Sequence, residues 1–163
     1  MIKRGFALPL ALFALILTSC SGEEKAKSEI DVKIVYGQGF FNEEKDPGAG
    51  LSWRWMEPEG IVKLHNTGRD MTLKLKGNAP VASFKEAPTV SFIFNGKLLE
   101  AVKATTEVMS KEYTITAAQQ GSEEWSELKI TSDKFFVPSE VDKKSTDGRR
   151  LAYSLMGLSW EPK

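Results

Sequence analysis

The sequence predicts an all-β protein, an antiparallel β-sandwich of jelly-roll type behind a cleaved signal peptide. Three observations predict it. Apolar residues recur with a period of two through most of the chain beyond residue 30, turn residues break that pattern at short intervals, and no stretch there sustains a helical period. Eight to ten short strands joined by Gly, Asn, Asp and Pro turns suit two packed sheets, and the jelly roll is the version expected. With 41% hydrophobic and 10% aromatic residues, the chain has enough apolar mass for a core.

Residues 1–19 read as the signal. Lys3 and Arg4 make a positive start, and Phe6 to Leu17 is a run of twelve apolar residues broken only by Pro9. As a helix that run would rise about 18 Å, against a hydrocarbon core of roughly 30 Å, so it suits a signal and not a membrane span. It ends in Leu17-Thr18-Ser19-Cys20, which resembles the bacterial lipobox. The resemblance implies a diacylglycerol on Cys20, cleavage before it and an acylated amino terminus. Each buried methylene contributes about 0.8 kcal/mol, so two or three chains would anchor the protein in the membrane for good. Ser21, in place of Asp, implies the outer membrane in a Gram-negative envelope. Residues 20–29, which end SGEEKAKSE, are polar and charged and read as a flexible tether to a single domain, residues 30–163.

Without Lys3 and Arg4, twenty basic side chains face twenty-two acidic ones, a formal charge of −2 with His65 neutral. That balance lacks the basic excess by which proteins hold nucleic-acid phosphates. One Cys and one His exclude a disulfide framework and a Cys/His zinc site. No Asp-x-Asp spacing marks a calcium loop, and nothing calls for a cofactor.

Along the domain, Ile30, Val32, Ile34 and Tyr36 alternate with polar neighbours as one half-buried strand. Gly37 to Gly50 reads as a loop, rich in glycine and carrying Phe40-Phe41. Leu51, Trp53 and Trp55 alternate next, followed by Val62 and Leu64, then Met71, Leu73 and Leu75, with Gly77 and Asn78 expected to end that strand. Val90, Phe92 and Phe94 lead into Asn95-Gly96, the dipeptide of a type I′ turn, and Leu98 to Val102 returns. Glu112 to Ala117 and Leu128 to Ser132 add two strands, with 119–126 as the loop between them. In the last strand Leu151, Tyr153 and Leu155 share one phase and Leu158 and Trp160 the other, a slip that a bulge at Gly157 would resolve. Before it, residues 135–150 form a connection longer than structure-free loops usually are.

The order Gly39-Phe40-Phe41, Arg54-Trp55, Asn95-Gly96, Phe136-Val137-Pro138-Ser139-Glu140-Val141 and Asp147-Gly148-Arg149-Arg150-Leu151 resembles a jelly-roll-like sandwich domain. That domain is found with bacterial glycosyltransferases and envelope polysaccharide proteins. Ala152 stands where the family often has Gly, and the Pro usual near the first aromatic turn is absent. The resemblance implies a glycan-related role.

The candidate ligand-binding residues are Trp53, Arg54, Trp55, Glu140, Asp147 and Arg149. Large aromatics dominate sandwich interiors, so the expected place of Trp53 and Trp55 is the core. On an outer face they would instead stack on sugar rings, with Arg54 and acids bonding hydroxyls. Glu140, Asp147 and Arg149 form either a polar binding surface or ion pairs that pin the 135–150 connection, since Arg forks grip carboxylates bidentately. No catalytic motif stands in its proper setting. Ser126-Glu127-Leu128-Lys129 falls in a predicted strand, whereas Ser-x-x-Lys works on a helix. The expected protein is a non-catalytic envelope lipoprotein that binds a saccharide or another envelope component, or else one that docks a protein partner.

Overall fold

In the computed structural model, which describes residues 32–163, the period-two segments form ten strands in two antiparallel five-stranded sheets. The signal, Cys20 and the tether lie outside the described residues. Sheet I holds, in spatial order, β1 (Ile34–Tyr36), β4 (Glu59–His65), β9 (Trp125–Ser132), β6 (Thr89–Phe94) and β7 (Lys97–Lys103). Sheet II holds β2 (Phe40–Asp46), β3 (Leu51–Met56), β10 (Tyr153–Pro162), β5 (Met71–Asn78) and β8 (Val108–Ile115). Without the added margin strands β1 and β2, the orders 4-9-6-7 and 3-10-5-8 are those of a jelly roll, two interleaved Greek keys.

The core follows from alternation. Met71, Leu73 and Leu75 of β5 are buried while Lys74 and Lys76 point to water, and Val90, Phe92 and Phe94 of β6 meet them from the other sheet. Asn95 (φ 46°) and Gly96 (φ 76°) both adopt the left-handed backbone that a type I′ turn needs, and the β6–β7 hairpin forms as predicted. The slip in β10 is real as well. Leu155 pairs with Gly77 but Gly157 pairs with the adjacent Lys76, and the extra residue lets Tyr153, Leu155 and Trp160 all reach the core.

Two expectations need correction. Gly37 to Gly50 is not wholly a loop, because β2 runs through it with Phe40 packed against the core and Tyr36. A bulge between Phe40 and Glu43 breaks its alternation, and as a margin strand it buries little, so its sequence carries no clear period. Gly77 and Asn78 do not lie beyond β5 but form its last two residues, paired with Met109 and Val108. Gly77 stands under the Tyr153 ring, and a Cβ there would lie 2.2 Å from Tyr153 Cζ, so this strand glycine makes room for an aromatic neighbour. Helices are limited to single turns among the described residues, α1 (Ala117–Gln120) and α2 (Pro138–Val141), with a 3₁₀ turn at Val81–Ser83.

Candidate binding face on the second sheet

The burial of Met56 decides which way the tryptophans of β3 point. Met56 is fully buried, so Arg54 shares its inner side, and Leu51, Trp53 and Trp55 face outward. The expectation that both tryptophans fill the core is overturned. Tyr153, Leu155 and Trp160 of β10 already occupy the inner side of this sheet. On the outer side, Leu51, Trp53 and Trp55 line a depression of about 270 Å³ with Ser154 and Met156 of β10 and Asn78 of β5. Trp55, Ser154 and Asn78 form one cross-strand row. Phe136 stands edge-on to Trp55 at 6.0 Å and meets Phe84 at 6.5 Å, so the aromatic wall is braced from the 135–150 connection. Asn78 Oδ1, in the wall of this depression, is buried without a hydrogen-bond partner.

A charged cluster adjoins the depression. Glu44 of β2 pairs across from Trp53, so its carboxylate emerges on the same face. Arg149 reaches it through Nη1 at 2.7 Å, grips Asp147 through Nε at 3.0 Å and Nη2 at 2.7 Å, and lies 5.0 Å over the Phe41 ring. The Arg149 backbone N–H also donates to Asp147 Oδ1 at 2.9 Å. These hydrogen bonds from Arg149 hold the Asp147 carboxyl below its ordinary value, and those to Asp147 and Glu44 keep the guanidinium charged.

Of the six candidates, the structure brings Trp53, Trp55, Asp147 and Arg149 to this one face. Arg54 lies on the opposite side, stacked 4.7 Å over Tyr36 at the open margin between β1 and β2. There burial raises the Tyr36 hydroxyl and the guanidinium pulls it back. Glu140 is exposed in α2, whose helical turn is tied to the connection by Ser139 N–H donating to the Asp147 carbonyl at 2.9 Å. Met156, Ser154 and Asn78 are not marked as site residues by the sequence, and Glu44 stands there only as one of several acids that flank the tryptophans. Asn78 and Glu44 lie in segments that read as a strand end and a loop, while the parity of Ser154 and Met156 against Tyr153 and Leu155 is the signal that points to them. Among the described residues, no three His, Cys, Asp or Glu side chains are grouped to hold a metal ion.

No family model matches the chain, and no curated protein matches it. Among solved structures it is similar to the C-terminal domain of EclA, a sugar-binding protein, at 12% identity and a TM-score of 0.38, over 94% of this chain and 100% of that one. It is also similar to a family 35 carbohydrate binding module from an environmental isolate, at 10% identity and a TM-score of 0.40, over 80% and 97%. A third is a family two carbohydrate esterase from Clostridium thermocellum in complex with cellohexaose, at 9% identity and a TM-score of 0.37. That match covers 80% of this chain and only 33% of the esterase.

Proposed function

We propose that the chain is a cell-envelope lipoprotein, held in the membrane by acyl chains on Cys20, whose sandwich binds a saccharide on the outer face of sheet II without transforming it. The observation that carries this reading is the outward-facing pair Trp53 and Trp55 beside the Arg149–Glu44–Asp147 cluster. Indole faces stack on the C–H side of a pyranose, and a guanidinium and carboxylates fixed nearby bond its hydroxyls. A glycosidase's general acid is kept protonated by a raised pKa, and Asp147 is shifted the other way and does not suit that role.

The test is tryptophan fluorescence titrated with envelope saccharides, backed by a glycan array. Quenching that is lost in Trp53→Ala and Trp55→Ala supports the reading, and unchanged fluorescence across every saccharide overturns it. Anchoring is tested separately. Cys20→Ala should move the protein to the soluble fraction, and continued sedimentation with membranes would refute lipidation. A second reading, docking of a protein on the 135–150 connection, is favoured by the exposure of Phe135 and Val141, at 42% and 62%. It would be supported by a partner whose capture is lost in Val141→Asp while saccharide titrations stay flat.

A further inference from the structure

The aromatic depression does not end at β10. Beyond it the same outer face opens into a larger trough of about 530 Å³, walled by Lys74 and Lys76 of β5, Ser110 and Glu112 of β8, and Gly157 and Ser159 of β10. The two hollows share strands β10 and β5. Leu155 is the last residue of β10 paired with β3, opposite Arg54; Gly157, two residues on, pairs with Lys76, and Lys76 pairs with Ser110. From β3 to β8 the outer face spans three strand spacings, roughly 14 Å, which is wider than one sugar ring.

We propose that the bound saccharide is an extended chain of several sugars that lies across the strands, with a second subsite over Lys76 and Ser110. The proposal rests on saccharide binding at Trp53 and Trp55 and adds the length and course of the ligand. Three features carry it. The strand that separates the hollows crosses at Gly157, which has no side chain to block the passage; a Cβ there would meet only Lys76 Cβ, at 3.9 Å. Lys74 is engaged by Glu161 at 3.0 Å, whereas Lys76 makes no ion pair among the described residues, so its three N–H donors remain for a ligand. Across this face the indole on β3 is followed by an open glycine on β10, an ammonium on β5 and a hydroxyl on β8. That mixture matches a sugar chain, which presents apolar ring faces and hydroxyls in turn, better than a lipid tail or a uniformly apolar protein face.

The probes are cello-, chito- and xylo-oligosaccharides and oligogalacturonates of two to eight sugars, each titrated by tryptophan fluorescence. In a series that binds, affinity should rise at least tenfold between the dimer and the hexamer. Gly157→Phe fills the passage, and Lys76→Ala removes the distal donors. Each should bring the hexamer down to the affinity of the dimer while leaving the dimer and the melting temperature unchanged. Lys76→Ala is a surface change and keeps the test valid if the phenylalanine variant folds poorly. A dimer that binds as tightly as the hexamer, or a hexamer indifferent to both variants, overturns the extended course and leaves Trp53 and Trp55 as the whole site. Failure of these series and of the envelope saccharides alike to quench overturns saccharide binding itself, and the second subsite with it.

Discussion

Sheet II carries tryptophans on both faces, and the two sets are held differently. Trp160 faces inward, 2% exposed, with its ring against Phe94 at 6.1 Å and its indole N–H donating to the His65 carbonyl at 2.9 Å. Trp53 and Trp55 face outward and are half-buried, with Phe136 braced against Trp55 on one flank. Every polar need of Trp160 is met inside the domain, whereas the outer pair borders an open depression. The difference shows that parity along the strand, and not the size of the ring, decides whether an aromatic residue of a sandwich is core or surface. Trp160→Ala should therefore have the largest effect on the fold, a loss of about 3–5 kcal/mol in chemical denaturation. A loss below about 1 kcal/mol would break the contrast.

The outer pair should show the reverse pattern. Trp53→Ala should leave stability within about 1 kcal/mol, because the ring closes no interior space. It should still weaken saccharide binding at least tenfold, about 1.4 kcal/mol. A large drop in melting temperature with binding intact would put Trp53 with Trp160. The two arginines sharpen the same contrast. Arg54→Ala removes the stack on Tyr36 and should cost about 1 kcal/mol of stability with no change in binding. Weakened binding in that variant would mean that the β1–β2 margin belongs to the site.

How much of this was legible follows from where each residue sits. β5, β6 and the Asn95-Gly96 hairpin announce themselves because their alternating residues face a wholly buried side, and the slip in β10 points to Gly157 for the same reason. β2 hides because a margin strand with a bulge has no such side. The helical turn α1 hides in the residues 119–126 loop and its approach, although Thr116-Ala117-Ala118-Gln119 has the spacing of a capping box and forms one. At the site, Asp147 and Arg149 were legible as an ion pair because they are two residues apart. Glu44, their third partner, lies 105 residues away and reaches Arg149 only through the pairing of β2 with β3. The orientation of Trp53 and Trp55 required Met56 as a reference, and a methionine flanked by Trp55 and Glu57 does not declare its own burial.

The smallest expected effect tests whether the Arg149 cluster is also a brace for the aromatic wall. Its hydrogen bonds lower the Asp147 carboxyl in the folded state, so the native protein binds the Asp147 proton less readily than the unfolded chain does. The stabilisation is then fully present above the unfolded value, about 3.9, and fades as pH falls through the lower folded value. Melting curves of the wild type and Asp147→Asn should differ at pH 7 and converge below about pH 4. The gap should be small, since both partners keep about a third of their surface in water. Glu43, Glu100 and Glu161 are shifted in the same direction, by Lys45, Lys111 and Lys74 respectively. They are unchanged by the substitution, so subtracting the two curves isolates Asp147. A gap that persists undiminished to pH 2 would mean that the asparagine acts through packing. No gap at pH 7, together with weaker saccharide binding, would make the cluster part of the ligand face alone and leave Phe136 as the brace of Trp55.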